Sequence, residues 1–295
     1  MKSQVLIRWA GMVWAGIALC LASYSMAANT ATDALGMCKK ISKKLASVNY
    51  AECAGLDFSE PRFYSVKSQP LLELRLPATA VPEGEKAPRI LFLGGIHGDE
   101  YSSVSVSFKW LNMLKKQHDG RITWHALPLV NPDGMLKRRG SRVNANKVDL
   151  NRNFQPAKAV YTPLEYWRDR KKKRARYFPG HAPLSEPESK AVHQLIKEFE
   201  PDLIVSVHAP HGIVDFDGNT RYPPRRLGPL KLSLLGTYPG SLGNYAWLVR
   251  KIPVVTIELA HAGIMPKKRE INRMWRDLTG WIDRNTGAYP RIADK

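Results

Sequence analysis

The hydrophobic positions of the chain are grouped in blocks that predict strands and helices in turn. Short apolar runs bounded by glycine, proline or asparagine are typical of buried strands. The predicted strands are residues 71–76, 89–95, 122–130, 201–208 and 253–260. Apolar residues at helical spacing predict helices over residues 101–117, 185–200 and 269–285. This alternation predicts an α/β domain with a mostly parallel sheet and helices on both faces.

Polar side chains lie where several of these strands end. The strand-end residues are His97, Asn131, His208 and Glu258. In open α/β sheets, ligands bind at the carboxyl ends of the strands. We therefore expect these four side chains, which come from distant parts of the sequence, to converge on one crevice.

The first 27 residues have the pattern of a secretory signal. Lys2 and Arg8 lead into an apolar stretch of about a dozen residues, no acidic residue is present, and small residues occupy Ser25 and Ala27. An uncleaved membrane anchor is the alternative, although the apolar stretch is shorter than the roughly 20 residues that a spanning helix needs. We expect export, to the periplasm or another extracytoplasmic compartment.

Export changes the interpretation of the three cysteines. Cys20 lies in the predicted signal, which leaves Cys38 and Cys53 in the exported chain. A pair of cysteines in an oxidising compartment favours a disulfide, which would stabilise the protein by roughly 3 kcal/mol. Two buried free thiols are the alternative. Residues 28–65, which hold the pair, form a basic N-terminal segment ahead of a main domain at 66–295.

The chain is strongly basic, with 45 Lys and Arg against 26 Asp and Glu and a formal net charge of +19. A positive field of this size favours polyanionic partners. For an exported protein, anionic lipids and the acidic polymers of a cell envelope are more accessible than nucleic acid. The sequence has no recognised nucleic-acid-binding motif, so we expect no nucleic-acid partner.

A glycine-rich turn after the strand at 89–95 carries two candidate metal ligands. In GGIHGDE, His97 and Glu100 are three residues apart, so both side chains can face one ion. Catalytic zinc typically takes three protein ligands, and two histidines with one glutamate are a standard set. His208 is the best-placed third ligand. The H-x-x-E spacing alone does not distinguish a metal site from a polar loop.

Seven motifs in the chain, taken together, resemble those of the M14 zinc metallocarboxypeptidases, and among these the bacterial murein tripeptide amidases. In order they are GGIHGDE, NPDG, RVNANKVDLNRNF, SEPES, SVHAP, YPGSLGNY and VTIEL, and the resemblance covers about residues 80–285. The first, third and last of these are highly specific in combination. The resemblance implies a three-layer α/β/α fold with a mixed, mostly parallel sheet, and one bound Zn²⁺.

The resemblance also implies roles for individual residues at a zinc site. The implied zinc ligands are His97, Glu100 and His208. Asp149 resembles the carboxylate that orients a ligand histidine. Glu258 resembles the general base that takes a proton from the attacking water.

Four further residues resemble the family's substrate contacts. Arg142 resembles the arginine that polarises the scissile carbonyl and stabilises the oxyanion. Asn151 and Arg152 resemble the pair that binds the free carboxylate of the substrate. Tyr238 lies near the place of a mobile tyrosine, but its spacing to Glu258 is shorter than in the family. Packing beside a turn is therefore the alternative for Tyr238, as a place on a basic surface is for the two arginines.

The chain departs from the amidase pattern NGVDLNRNFP at two positions. Lys147 stands in place of the glycine and Gln155 in place of the proline. Both lie beside the loop that carries Asn151 and Arg152, the residues implied to bind substrate, so they bear on specificity more than on catalysis. His211, three residues after His208, is a further candidate for contact with the site.

Residues 168–176 form a dense basic run in which Asp169 is the one acid. A solvated loop is one interpretation. The run lies between Arg152 and the SEPES motif, which puts it near the rim of the expected crevice. The other interpretation is therefore that it binds an acidic envelope polymer or an anionic membrane surface.

These observations predict an exported, monomeric zinc metallopeptidase that hydrolyses an amide bond in murein peptides. The resemblance implies the γ-D-glutamyl–diaminopimelate bond. A zinc carboxypeptidase that trims a C-terminal residue is the first alternative. A deacylase similar to the succinylglutamate desuccinylases is disfavoured, because those enzymes lack the long motif at 142–154. A catalytically inactive, basic wall-binding module is disfavoured by the intact ligand set and Glu258.

Overall fold

The computed structural model describes residues 33–219 and 223–286, and the predicted signal at 1–27 lies outside them. Eight strands of the described residues form one sheet. They are β1 (Leu74–Leu76), β2 (Arg89–Gly94), β3 (Thr123–Leu127), β4 (Leu203–His208), β5 (Ile213–Asp217), β6 (Arg226–Leu227), β7 (Leu230–Leu232) and β8 (Val254–Glu258). The helices are α1 (residues 33–44), α2 (Tyr50–Ala54), α3 (Tyr101–Gln117), α4 (Pro132–Leu136), α5 (Pro163–Asp169), α6 (Pro187–Phe199) and α7 (Lys268–Thr286), with a π-helical turn at Asn244–Val249 and 3₁₀ turns at Leu150–Arg152 and Ala175–Tyr177.

The strand order is β1-β3-β2-β4-β8-β5-β7-β6. The centre of the sheet is parallel, since β3, β2, β4 and β8 run in one direction. β1 and β5 pair antiparallel with this centre on its two sides. The predicted mixed, mostly parallel sheet is confirmed, and its parallel part puts the carboxyl ends of β2, β4 and β8 at one edge.

Apolar side chains pack on both faces of the sheet, as its position between helices requires. Successive residues of a strand point to opposite faces. Phe92 of β2 therefore packs with Trp110 of α3, while its neighbour Leu91 joins the core that contains Leu195 of α6. On the first face the rings of Trp110 and Trp275 lie 5.9 Å apart, which joins α3 to α7. One core thus lies between the sheet and the helices α3 and α7, and the other lies between the sheet and α6, which gives three layers.

Helix α3 begins directly after Glu100 and packs closely on the sheet. Small serines of its first turns are buried against β2 and β4. The Ser103 hydroxyl donates to the carbonyl of Val207 at 2.7 Å and accepts from the Gly95 amide at 3.1 Å. A Cβ at Gly94 would collide with the Ser107 hydroxyl, so glycine permits this approach. The contacts hold the turn that carries His97 against the end of β4.

The predicted disulfide between Cys38 and Cys53 is confirmed, with a Cα–Cα distance of 5.5 Å. It joins α1 to α2, and both cysteines are buried in the same apolar core as Phe108 of α3. Lys109 adds an ion pair to Glu52 at 2.6 Å. The N-terminal segment therefore shares a core with the sheet domain. The proposed boundary at residue 65 stays a prediction.

Three strands were not predicted from the hydrophobic pattern: β5, β6 and β7. β5 contains Asp215 and Asp217 on one face, and the other two strands have only two or three residues. Of the strand predicted at 71–76, only Leu74–Leu76 is paired. Within the described part of the chain, no helix combines the length and apolar character that crossing a membrane requires.

Candidate active site

The strand-end residues His97, His208 and Glu258 line one cavity of about 430 Å³ at the carboxyl edge of the parallel strands. His208 ends β4 and Glu258 ends β8, and the two are register partners across these neighbouring strands. Their side chains therefore point to the same face of the sheet. The fourth strand-end residue, Asn131, does not line this cavity, and the expectation that it would is wrong. Its side chain accepts from the Gly134 amide at 2.8 Å and donates to the Arg142 carbonyl at 3.1 Å.

The three predicted metal ligands form a compact group of donor atoms. The Nδ1 atoms of His97 and His208 lie 3.3 Å apart. The carboxylate of Glu100 bridges them, with Oε1 at 2.7 Å from His97 Nδ1 and Oε2 at 3.1 Å from His208 Nδ1. Donor atoms about 2.0–2.2 Å from a tetrahedral zinc ion stand roughly 3.3–3.6 Å apart. Two of the three separations approach this spacing.

The chemistry of the three groups also fits a cation. His97, Glu100 and His208 are between 3% and 4% exposed, so solvent does not satisfy their polar atoms. Neutral imidazole nitrogens and an ionised carboxylate all offer lone pairs, and here the donor atoms of the three side chains converge within 4.8 Å of one another. A metal ion between them would accept lone pairs from all three side chains. These residues therefore fit the zinc of the family that the sequence resembles.

Two buried carboxylates are ionised at this site: Glu100 within the ligand group and Asp149 beside it. Burial alone would raise the pKa of Glu100, but His97 and His208 lower it well below the ordinary value. Burial likewise opposes ionisation of Asp149, yet Arg142 and His97 hold its pKa far below the usual range. Both side chains therefore accept hydrogen bonds as anions at neutral pH.

Asp149 lies behind His97 in the position that orients a ligand ring. Its Oδ1 is 3.2 Å from His97 Nε2, and its Oδ2 accepts from Arg142 Nε at 2.9 Å. A proton on Nε2 that points to Asp149 leaves the Nδ1 lone pair free for a metal. Asp149 also accepts from the amide of Asn151 at 3.1 Å. The Asp149 carboxylate thus fixes His97, Arg142 and the backbone at Asn151, one of the predicted substrate contacts.

The loop at 142–149 is held by the SEPES motif, whose role was not predicted from the sequence. Asn144 donates to Glu186 at 2.7 Å and to Glu188 at 3.0 Å. Its side-chain oxygen accepts from the Val148 amide at 3.1 Å. Lys147, which stands where the amidase pattern has glycine, has a φ of 63°, in the left-handed region that glycine adopts without strain. The loop therefore keeps a glycine-like backbone despite the substitution.

Glu188 makes the stability of this loop dependent on pH. Its side chain is 0% exposed, and burial raises its pKa from 4.5 to about 7. A group whose pKa is raised on folding contributes stability below its unfolded pKa and loses that contribution as pH rises through its folded pKa. We expect the unfolding free energy of the wild type to fall, relative to that of Glu188→Gln, by on the order of 2–3 kcal/mol between about pH 5 and about pH 8.

Chemical denaturation at both pH values measures this difference. Glu198→Gln is a control on the same helix, because hydrogen bonds from Gln194 and Arg62 lower the pKa of Glu198. Its contribution is constant over this pH range, so the control should follow the wild type. An equal difference between wild type and Glu188→Gln at both pH values would show that Glu188 does not change its protonation on unfolding.

The predicted substrate contacts line one wall of the cavity: Arg142, Asn151, Arg152 and Tyr238. The guanidinium of Arg152 lies 4.7 Å from the centre of the Tyr238 ring, and its Nε has no hydrogen-bond partner among the described residues. The side-chain oxygen of Asn151 accepts from the Leu242 amide at 2.8 Å, which leaves its NH₂ group for a ligand. A buried donor without a partner, beside an amide NH₂, suits an anionic ligand group.

Part of the basic run at 168–176 also reaches the cavity, as its place in the sequence predicts. Lys171 and Arg176 line it. Lys171 Nζ lies 4.9 Å from the centre of the Tyr238 ring, and Arg176 is 3.7 Å from Asp99. The neighbouring residues 172–174 are exposed. The run therefore has an inner part at the cavity and an outer part in solvent.

Glu258 is 8% exposed and has His211 as its neighbour in the cavity. His211 Nδ1 lies 3.0 Å from Glu258 Oε2, so the contact that sequence position suggested for His211 is made with this carboxylate. Three further residues that line the cavity were not predicted from the sequence: Ser206, Asp215 and Asp217. The alternation of acids in VDFDG is a signal that could have found the two aspartates.

Comparison with known proteins places this fold and site in a family. The zinc carboxypeptidase (M14 peptidase) family profile matches residues 63–226. Murein peptide amidase A of Escherichia coli K12 is 33% identical over 190 residues, covering 61% of this chain and 73% of that protein. Murein peptide amidase A of Vibrio campbellii is 30% identical over 192 residues, covering 59% and 71%.

Two solved structures of similar proteins share this fold. The murein-tripeptide amidase from Escherichia coli O157 superposes with a TM-score of 0.53 at 28% identity, covering 75% of this chain and 90% of that one. Carboxypeptidase A from Helicoverpa armigera superposes with a TM-score of 0.59 at 17% identity, covering 78% and 68%. The second likeness concerns the fold alone.

Proposed function

The chain belongs to the M14 family of zinc carboxypeptidases, and from this premise we propose that it is an exported amidase of murein peptides that hydrolyses the γ-D-glutamyl–diaminopimelate bond. The observation that carries the proposal is the buried group of His97, Glu100 and His208 beside Glu258, in a cavity with a wall of basic residues. The names of the similar amidases support the choice of substrate. The signal pattern at 1–27 and the disulfide support a location outside the cytoplasm.

One zinc ion would be held by His97, Glu100 and His208, and when bound it polarises the scissile carbonyl and makes water more acidic. Glu258 accepts a proton from the attacking water and delivers it to the leaving amine. Its register with His208 fits this role, because it puts the carboxylate on the same face of the sheet as the ligand group. His211, 3.0 Å away, orients the carboxylate.

Arg142 stabilises the negative charge that develops on the carbonyl oxygen. Its Nη1 lies 3.2 Å from His97 Nδ1 and 3.7 Å from Glu100 Oε1, so the cation is directly beside the ligand group. Asp149 holds its Nε, which fixes the guanidinium before substrate arrives. A fixed donor of this kind stabilises the transition state without reorganisation during the reaction.

Arg152 and Asn151 bind the carboxylate next to the scissile amide. Both residues line the cavity, and the Nε of Arg152 lacks an acceptor among the described residues. Tyr238, which packs on the Arg152 guanidinium, keeps this donor in place. Lys171, whose charge lies over the same ring, adds to the attraction for an anion.

Incubation of the purified protein with L-Ala–γ-D-Glu–diaminopimelate tests the proposal. Release of free diaminopimelate, lost with a chelator and restored by zinc, is expected. Conversion of a murein tetrapeptide to the tripeptide, with the tripeptide left intact, would replace the amidase with a carboxypeptidase. No hydrolysis of either peptide by the zinc-loaded protein would contradict the proposed activity.

Export is tested by fractionation of cells that express the full chain, where a cytoplasmic product would contradict it.

We propose that the outer part of the basic run recruits the enzyme to an anionic envelope surface. Lys172, Lys173 and Arg174 are exposed and lie next to the cavity-lining Lys171. Replacing the three with glutamine should weaken binding to murein sacculi and reduce the dependence of that binding on salt, because charge contacts of this kind are screened. Hydrolysis of a soluble tripeptide should change little. Co-sedimentation with sacculi at several salt concentrations measures the effect.

The chain offers a matched control for this experiment. Lys267, Lys268 and Arg269 form another exposed run of the same composition, before and at the start of α7. Their replacement with glutamine removes the same charge from a different surface. Equal loss of binding in both triple variants would show that net charge, and not the position of the run, controls the attraction.

A further inference from the structure

The N-terminal segment that carries the disulfide lies along helix α3, which begins directly after Glu100. Its helices α1 and α2 precede the residues that match the family profile. Ser47 donates to the Ser105 hydroxyl at 2.7 Å, and Lys115, near the other end of α3, donates to the Gly55 carbonyl at 2.8 Å. The disulfide fixes α1 to α2. The segment is therefore attached to α3 at both ends of this helix, and the end of α1 has a fixed position beside its first turns.

Lys44, the last residue of α1, reaches from this segment to the loop at 137–141. Its Nζ donates to the carbonyls of Lys137 at 2.5 Å and Arg138 at 3.0 Å, and it lies 5.3 Å from the centre of the Tyr101 ring. An ammonium group has three N–H donors, and two carbonyls with one aromatic face can satisfy all of them. Lys137 caps the end of α4, where backbone carbonyls lack partners inside the helix. Lys44 therefore binds the backbone of the loop.

The same loop joins the turn of the metal ligands to Arg142. The hydroxyl of Tyr101, the first residue of α3, accepts from the Gly140 amide at 2.7 Å. A Cβ at Gly140 would lie 2.8 Å from the carbonyl oxygen of Gly98, so the loop and the turn are in close contact. A movement of the loop at 137–141 would therefore displace the backbone of Arg142 relative to the ligand group.

Charge alone would keep Lys44 away from this loop. Residues 137–139 are three consecutive basic residues, and no acid occurs from 137 to 148. Like charges repel, so a further cation here needs partners at short range, which the two carbonyls and the Tyr101 ring supply. A neutral side chain of similar length would lose these contacts. Arginine, which also donates to carbonyls and stacks on aromatic rings, would keep them.

We infer that Lys44 is a positioning residue for Arg142, because it holds the loop at 137–141 and so keeps the arginine beside the ligand group before substrate binds. Arg142 acts on the charge that develops during the reaction, so its displacement should lower kcat. Arg152 and Asn151, which bind the substrate carboxylate, are held by other contacts, so KM should change little. The inference rests on the proposed function for the role of Arg142, and it gives the N-terminal segment a part in the reaction.

Replacing Lys44 with methionine keeps the length of the side chain and removes the ammonium group. With the tripeptide as substrate, kcat should fall by about tenfold, less than the roughly 10²- to 10³-fold that loss of an oxyanion donor costs, and KM should stay within about twofold. Lys44→Arg should restore most of kcat. Lys43→Met is the matched control, because Lys43 is the exposed neighbour on the same helix, and it should behave as the wild type.

Hydrogen exchange of the zinc-loaded protein measures the position of the loop without catalysis. In Lys44→Met the amides of residues 137–142 should exchange about tenfold faster, because the bonds that are lost are charge-assisted. Lys44→Arg and Lys43→Met should exchange at the wild-type rate. Amides of the central strands should be unchanged in all variants, which separates local release of the loop from a general loss of stability.

Unchanged exchange of the loop in Lys44→Met would show that Lys44 does not hold it and would overturn the inference. Faster exchange with the kcat of the wild type would also overturn it, because the loop would then not position Arg142. Equal losses of kcat in Lys44→Met and Lys43→Met would show that the charge of α1, and not this contact, controls the rate. If the wild type cleaves neither peptide, only the proposed bond is rejected, and the exchange comparison alone decides whether Lys44 holds the loop.

Discussion

Replacing Glu258 with glutamine is expected to lower kcat by about 10²- to 10⁴-fold while zinc remains bound, because a general base of this kind contributes that range. Glutamine keeps the size of the side chain at the end of β8 and the contact with His211, but it cannot accept a proton from water. The ligand group of His97, Glu100 and His208 does not include Glu258. Loss of turnover without loss of metal is therefore the signature of a base, and not of a ligand.

Release of diaminopimelate from the tripeptide and zinc content by metal analysis measure the two parts of this prediction. Glu83→Gln is a matched control, because Glu83 is an exposed acid in the turn before β2. It should keep both activity and zinc. Turnover within a few-fold of the wild type in Glu258→Gln would remove Glu258 from the reaction. Loss of zinc in that variant would instead make it part of the metal site.

The sequence predicted the elements that position the site because hydrophobic periodicity and strand-end residues are local signals. β2, α3, β4 and β8 lie within the segments predicted for them, and the helix at Tyr101–Gln117 has the predicted bounds. The parallel order of the central strands then brings His97, His208 and Glu258 together, as strand ends in such sheets require. Hydrophobic periodicity does not indicate which of the eight histidines are ligands of one ion. That prediction came from the resemblance of the motifs to those of the family.

The parts that the sequence did not predict depend on register and on polar contacts over long separations. Asn131 follows the strand predicted at 122–130, but β3 ends at Leu127, and the Asn131 side chain caps α4 and holds the backbone of Arg142. Asp215 becomes part of the cavity only because β5 turns back antiparallel on β8 in a register that puts it opposite Thr256. A one-residue shift would turn every acid of β5 to the other face. Hydrophobic patterns specify such a register only through the apolar residues between the acids.

Replacing His208 with alanine is expected to abolish stable zinc binding, with loss of activity as the consequence. The change leaves His97 and Glu100, two ligands where catalytic zinc typically has three. It also removes a neighbour that lowers the pKa of Glu100, so the pKa of this carboxyl group rises in the variant. Zinc that binds the folded state raises Tm, so the wild type should gain thermal stability from added zinc and the variant should not. His181→Ala, at an exposed position, should behave as the wild type.

A graded comparison separates loss of a ligand from general damage to the site. Asp149→Asn keeps all three ligands and changes only the group that faces His97 Nε2 and Arg142 Nε. Changes of this kind typically cost about 10- to 100-fold in metal affinity or activity. Chelator competition should therefore order the affinities as wild type, Asp149→Asn and His208→Ala, with the largest step at the last. If His208→Ala held zinc more tightly than Asp149→Asn, His208 would not be a ligand, and the ion would have to be bound by another set of side chains around His97.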